Sequence, residues 1–489
     1  MQWQVRDRAT AQRPRRFTGI LMLGALIAGS AAAGSLATSH APAPVVFAAP
    51  AAGASLTHPD GGYADVVAKV APAVVTVRSQ RVVKVADQSP FGGQDPFEEF
   101  FGRQFPGRRS QPQPPRREGA LGSGVVVTAD GYIVTNNHVV EGSRQVEVEL
   151  TDGRTMKATV VGADAPSDLA VLKVEAKSLP TLPLGDSDNV RVGDVALAVG
   201  NPLGVGQTVT MGIVSAKGRA TGGGDSYEDF LQTDAPINQG NSGGALVNTR
   251  GELIGINSQI LSPSGGNIGI GFAIPSNMAK NVMDQLVSGG AVHRGMLGVT
   301  VQGINSDLAD SLGLSGVKGA LVSAVSEGSP AEKAGVKRGD VITAIDGQAV
   351  KDSNSLRNTV SRLKPGSTVS LTLFRAGQEK QVSVRLAEMP RTAKDDSSGS
   401  GAPSGTPGAL GLALQPGDSG LEVTNVDPSG PAADAGIRVG DVLEEVNGTP
   451  VKSSADVRAA LGKSKGKAAL VLVRRGEQTL YVAVPERAA

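Results

Sequence analysis

Gln239-Gly240-Asn241-Ser242-Gly243-Gly244 sets a serine inside a turn dense with glycine. Glycine on both sides lets the backbone adopt dihedrals that a Cβ forbids and come close to a bound molecule. Backbone N–H groups are then free to face whatever the hydroxyl attacks, which a nucleophile beside an oxyanion hole requires. A surface loop of the same composition would read alike, so the stretch is weighed against two others. Thr135-Asn136-Asn137-His138-Val139-Val140 closes the strand-like run Gly131-Tyr132-Ile133-Val134 and carries one of only four histidines. Ser167-Asp168 opens the apolar run Leu169-Ala170-Val171-Leu172-Lys173-Val174. Taken singly, a strand-end histidine reads as a structural residue and an aspartate before a strand as a turn residue. Together they give His, Asp and Ser in that chain order, one of the recurrent arrangements for an activated serine.

These segments, with Thr233-Asp234-Ala235-Pro236-Ile237-Asn238 and Gly269-Ile270-Gly271-Phe272-Ala273-Ile274-Pro275, resemble the HtrA/Deg family of serine proteases from about residue 63 to the end. The resemblance implies a mainly β chain: a chymotrypsin-like double six-stranded β-barrel protease domain followed by two PDZ domains. The site is then expected in the cleft between the barrels.

The strand pattern agrees. Asp130-Gly131 sits between Gly124–Thr128 and Tyr132–Thr135 as a hairpin signal. Val146, Val148 and Leu150 alternate with polar residues before Asp152-Gly153, and Val195–Val199, Thr208–Val214 and Leu253–Ile256 follow as strands. Ser276–Val287 reads as a helix capped by Ser276 and ended by Gly289. A protease domain over 63–289 results, interrupted at 82–118 by a segment holding five of the ten phenylalanines. The resemblance gives such a loop a regulatory or subunit-contacting role.

An internal repeat follows. Ser329-Pro330-Ala331-Glu332-Lys333-Ala334-Gly335-Val336-Lys337-Arg338-Gly339-Asp340-Val341 returns as Gly430-Pro431-Ala432-Ala433-Asp434-Ala435-Gly436-Ile437-Arg438-Val439-Gly440-Asp441-Val442. Asp346-Gly347 and Asn447-Gly448 match as hairpin turns, and helices are predicted at Leu356–Leu363 and Val457–Leu461. The two units, about 295–388 and 406–486, resemble PDZ domains, joined by a Gly/Ser/Pro-rich linker at 392–408. Such units add a peptide strand to a sheet edge and seat its terminal carboxylate in a backbone nest. The loops placed for this are Met296-Leu297-Gly298-Val299 and Ala409-Leu410-Gly411-Leu412.

Composition limits the alternatives. A chain of 489 residues exceeds one ordinary domain. A formal charge of +1 supplies no basic field for nucleic acid. The absence of cysteine removes disulfides and thiol chemistry, and no metal cluster or phosphate loop suggests a cofactor. Arg6, Arg8, Arg13, Arg15 and Arg16 precede an apolar run from Phe17 to about Ala37, so 1–49 reads as a signal peptide or an N-terminal membrane anchor. Either places the rest of the chain in an extracytoplasmic compartment, periplasm or cell envelope.

The resemblance implies Ser242 as nucleophile, His138 as general base and Asp168 as its orienter, with the backbone N–H groups of Gly240, Asn241 and Ser242 around the oxyanion. Ile237, with Ile268 and Ile270, is expected to form a shallow apolar pocket for small aliphatic side chains. Those are buried in folded proteins, so the expected partners are unfolded or misfolded polypeptides and peptide C-termini. Asn241 stands where chymotrypsin-type zymogens use an aspartate to bind a new N-terminus, so regulation by loop ordering, PDZ occupancy or a homo-trimer or higher oligomer is expected. The competing reading is a chaperone or scaffold that binds misfolded chains and uses the barrels passively. An esterase would need its Gly-x-Ser-x-Gly stretch to be an elbow between strand and helix, and Gly240–Gly244 lacks that strand–helix context.

Overall fold

The computed structural model describes residues 62–83, 116–201, 206–221, 226–238, 240–262, 266–314, 316–390, 409–417, 420–462, 468–476 and 478–485. The N-terminal segment 1–49, the phenylalanines of 82–118 and the linker 392–408 lie outside the described residues. Among the described residues no helix is long and apolar enough to cross a membrane.

Two closed barrels of six antiparallel strands form first. One contains β1 (Val74–Val83), β2 (Arg116–Val126), β3 (Tyr132–Thr135), β4 (Gln145–Glu149), β5 (Thr155–Asp164) and β6 (Leu169–Val174), in the order β1-β2-β3-β6-β5-β4. The other contains β7 (Val195–Gly200), β8 (Thr208–Arg219), β9 (Phe230–Thr233), β10 (Ala245–Val247), β11 (Leu253–Ile260) and β12 (Gly271–Pro275), in the order β10-β11-β12-β9-β8-β7. The β2–β3 hairpin turns through Gly131, whose φ is +104° and whose hypothetical Cβ would lie 2.3 Å from the Val174 carbonyl.

Neighbouring residues of a strand face opposite ways, and here both faces are covered. Val126 and Ile133 pack in the interior cluster of the first barrel, whereas Val125, Val127 and Val134 face the seam between barrels. Ala196 and Ala198 line the interior of the second barrel, while Leu197 and Val199 join the same seam. This double burial explains why β6 and β7 read as continuous apolar runs rather than as alternating ones. The seam also takes Met278, Ala279, Val282, Met283 and Leu286 from the helix Ser276–Gly289. Each large apolar side chain buried there stabilises by about 1.5–3 kcal/mol. The helix begins differently from the sequence expectation. Pro275 occupies the N-cap, and the Ser276 hydroxyl donates instead to the Gly185 carbonyl at 2.7 Å. It ends at Gly290, left-handed with φ +71°, whose N–H donates to the Leu286 carbonyl.

Each of the next two units pairs a five-strand path with a helix. In the first the order is Val299–Gln302, Ala320–Val325, Val341–Ile345, Thr368–Arg375, Gln378–Arg385, with the helix Ser353–Arg362. In the second it is Leu412–Gly417, Gly420–Val426, Val442–Val446, Ala469–Arg475, Gln478–Val484, with the helix Ser454–Leu461. Asp346-Gly347 (φ +48° and +77°) and Asn447-Gly448 (φ +51° and +71°) make the same two-residue turn with both residues left-handed. The repeated Gly-Asp also acquires a reason. Asp340 and Asp441, each 1% exposed, receive Arg375 and Arg475, and each arginine reaches on to the carbonyl of Gly335 or Gly436.

The first of these units is tied to the barrels. Asn354 and Asn358 both donate to the Glu228 carbonyl, at 2.7 and 2.6 Å, and Arg362 pairs with Asp229. These three residues lie four apart, on one face of the helix. Arg294 forks onto Asp164 at 2.8 and 2.5 Å and stacks over Tyr227. The second unit docks on the first: the Gln302 amide donates to the Tyr481 carbonyl at 2.9 Å and accepts its N–H at 2.7 Å, and Arg338 pairs with Glu445.

Candidate active site

His138 lies in the one-turn helix Asn137–Val140 immediately after β3. Asp168 follows the 3₁₀ turn Ala165–Ser167 and opens β6. Its backbone is left-handed, φ 53° and ψ 41°, which an aspartate tolerates better than most side chains. That strained position is held from several sides. The Asp168 carbonyl accepts from the Asn137 N–H at 3.2 Å and from the Asn136 amide at 2.9 Å. Its carboxylate accepts the His138 main-chain N–H at 3.1 Å.

The imidazole faces that carboxylate squarely. Nδ1 of His138 is 2.9 Å from each Asp168 oxygen. A carboxylate accepts only, so the proton sits on Nδ1 and Nε2 is left as the acceptor. About a quarter of each side chain is exposed, 25% for His138 and 28% for Asp168, so the pair opens to solvent on one side. Burial, the largest single influence, lowers the His138 pKa. The Asp168 charge and hydrogen bond, with the charge of Glu141, outweigh it and leave the value above that of an ordinary imidazole.

Ser242 comes from the other barrel, in the turn between β9 and β10, and is 8% exposed. Its hydroxyl donates to the Ser258 carbonyl at 2.8 Å; no hydrogen bond joins it to the imidazole among the described residues. Ser258 on β11 also donates its own hydroxyl to Asp168 Oδ2 at 2.9 Å. This residue therefore touches both the serine and the aspartate. Sequence reading passed over it, because Asn257-Ser258-Gln259 looks like any strand and only the β11 register brings it there.

The turn around Ser242 corrects one expectation. Asn241 is not an oxyanion donor: its N–H donates to the Asn238 carbonyl at 3.0 Å, closing the tight turn. The N–H groups of Gly240 and Ser242 donate to no other described residue. Gly240 has φ +96° and Gly243 φ +82°. A Cβ on Gly243 would stand 2.1 Å from the Ser123 carbonyl, so glycine is obligatory there. Asn241 is 1% exposed and its neutral amide carries no charge for an N-terminal amine.

The three isoleucines are not gathered into one lining. Ile237, 1% exposed, packs in the interior of the second barrel, Ile270 sits against the seam, and Ile268 is 55% exposed. In the first following unit, Leu297 packs with Leu356 and Val360 of the helix Ser353–Arg362, while Gly298 turns the loop at φ +75° beside Ser329. In the second, Leu412 packs with Val457 and Ala460, and Leu410 and Gly411 after Ala409 are both left-handed. Met296 pairs with Ala387, and Val299 with Val325. Among the described residues no group of histidine and carboxylate side chains is arranged to hold a metal.

Residues 122–256 match the family of trypsin-like peptidase domains, and residues 295–386 and 408–485 each match the PDZ domain family. A probable periplasmic serine endoprotease, DegP-like, of Brucella suis biovar 1 (strain 1330) is 43% identical over 465 residues, covering 87% of this chain and 90% of the relative. The chain belongs to the HtrA/DegP-like serine endoproteases. A relative of the same description in Rhizobium meliloti (strain 1021) is 43% identical over 462 residues, covering 86% of this chain and 91% of its own length. Among solved structures, the HtrA-type protease AlgW with decapeptide is 45% identical with a TM-score of 0.54, covering 68% of this chain and 100% of that one. AlgW with tripeptide is 44% identical with a TM-score of 0.55, covering 68% and 98%. Like other members of the HtrA/DegP-like group, this chain is a serine endopeptidase, with a mostly β fold of two closed barrels and two PDZ domains.

Proposed function

We propose that Ser242, His138 and Asp168 form the catalytic triad of an extracytoplasmic endopeptidase that removes unfolded or damaged polypeptides. The observation that carries this reading is the symmetric 2.9 Å contact of His138 Nδ1 with both Asp168 oxygens, linked through Ser258 to the Ser242 hydroxyl. For reaction, the hydroxyl turns from the Ser258 carbonyl toward Nε2, which takes its proton as Oγ attacks the scissile carbonyl. Asp168 stabilises the imidazolium that forms. The N–H groups of Gly240 and Ser242 receive the oxyanion. His138 then returns the proton to the departing amine, and a water activated by the same nitrogen releases the acyl group.

We infer cleavage after small aliphatic residues. Residues 235–243 contain no carboxylate to attract Lys or Arg. The protease domain spans 63–289, the PDZ units span 295–388 and 406–486, and the loops at 296–299 and 409–412 take peptide C-termini. The relatives described as periplasmic support export by the segment 1–49. Trimeric or higher assembly accords with the phenylalanine-rich segment 82–118.

Digestion of casein by the wild type and by Ser242→Ala, with mass spectrometry of the fragments, tests both parts. Cleavage by Ser242→Ala above about a hundredth of wild type contradicts the nucleophile. A dominant Lys/Arg preference contradicts the specificity.

A further inference from the structure

Ser123, on β2 of the first barrel, is wholly buried and uses every polar group it has on the Ser242 turn and its surroundings. Its N–H donates to the Ser242 carbonyl at 2.8 Å. Its hydroxyl donates to the Gly240 carbonyl at 2.6 Å and accepts the Asn201 N–H at 2.9 Å. Its own carbonyl accepts the Thr135 hydroxyl at 2.7 Å. The hydroxyl's single donor is thereby matched, and one of its acceptor sites is filled.

The pattern of these bonds matters more than their number. The peptide plane that carries the Ser242 N–H is the one between Asn241 and Ser242. The planes on either side of it end in the Gly240 and Ser242 carbonyls. Ser123 holds both, one by its hydroxyl and one by its N–H. The bracketed plane has its own carbonyl fixed by the Gly244 N–H at 2.9 Å. The turn is glycine-rich, so its backbone dihedrals are otherwise soft. We propose that Ser123 is a positioning residue for the oxyanion site, aiming the Gly240 and Ser242 N–H groups from the opposite barrel. This rests on the triad reading above.

The mechanism fixes where the loss must show. The ground-state carbonyl needs the N–H groups little; the tetrahedral oxyanion needs them aligned within a few tenths of an ångström. Ser123→Ala leaves substrate contacts intact but frees the Gly240 carbonyl. It is expected to lower kcat on a quenched peptide substrate by about 10- to 100-fold, below the ~10²–10³ of deleting a donor outright. KM stays within about threefold. The affinity of a peptide boronate, whose tetrahedral adduct places an oxygen in the hole, falls in parallel with kcat/KM. Product-peptide binding measured in Ser242→Ala is unchanged by adding Ser123→Ala. If Ser123→Ala does not fold, Ser123→Cys keeps a side chain there with only a weak donor and carries the same expectation at smaller size.

Unchanged boronate affinity in a folded variant overturns the assignment, as does a rise in KM with kcat preserved. Full cleavage by Ser242→Ala overturns instead the reading beneath it, because that result leaves no nucleophile to be served. Loss of activity in Ser242→Ala, together with parallel loss of kcat and boronate affinity in Ser123→Ala, supports both.

Discussion

Arg294→Ala is expected to destabilise the protease domain. The side chains of Arg294 and Asp164 are only 10% and 7% exposed. The guanidinium makes a two-pronged contact with the carboxylate and lies 4.4 Å from the Tyr227 ring centre. Removing one partner of a buried ion pair costs about 3–5 kcal/mol, because the other charge stays behind uncompensated. Asp164 keeps the N–H and hydroxyl of Ser167, which argues for the low end of that range. The lost stacking on Tyr227 adds about 0.5–1 kcal/mol. The total is about 3–4 kcal/mol. For a domain of ~230 residues each kcal/mol moves the midpoint by about 2–4 °C, so a drop of roughly 6–16 °C is expected. Calorimetry in the Ser242→Ala background, where self-digestion cannot distort the transition, is the assay. Arg294→Lys retains the charge but loses the fork, and should show about half the drop. A midpoint for Arg294→Ala within about 2 °C of the parent would refute the argument that this charge pair is desolvated.

Other perturbations have equally definite signs. The His138 pKa is raised, so the base becomes neutral only above the ordinary imidazole range and kcat/KM should fall as pH drops through that raised value. Asp168→Asn removes the charge that raises it and leaves burial, which lowers it; the acid limb should move to lower pH while activity falls about 10⁴-fold, read from pH–rate profiles. Gly243→Ala sets a methyl 2.1 Å from the Ser123 carbonyl at a φ of +82°, and fluorophosphonate labelling of Ser242 should fall by about 100-fold or more. Arg375→Ala and Arg475→Ala should each lower the midpoint of their own PDZ unit, since each strands an aspartate that is 1% exposed.

The segments of the proposed triad were legible because each residue sits beside a local signal: Gly-Asn-Ser-Gly-Gly, Asn-Asn-His-Val, and Ser-Asp before an apolar run. Hairpins showed equally well where Asp-Gly or Asn-Gly supplied two left-handed residues. What escaped was whatever depends on register or distance. Ser258 reaches Asp168 across 90 residues, and Arg294 reaches Asp164 across 130. The Asn241 N–H was misassigned because sequence does not reveal that the turn closes onto Asn238. Ile237 was placed by its offset from Ser242, whereas the loop after β9 turns it into the barrel interior. Ser276 was read as a cap from its position alone, and the nearby Gly185 carbonyl takes its hydroxyl instead.

His138 and Asp168 are carried by the first barrel, Ser242 and Ser258 by the second, and every bond between the two sets crosses the seam. On the proposed triad, a chain with only one barrel formed therefore holds either an imidazole without a target or a hydroxyl without a base. Its capacity to cut other chains arises only when its own halves have joined. Peptidase activity on this arrangement is thus a built-in certificate that the two barrels have joined.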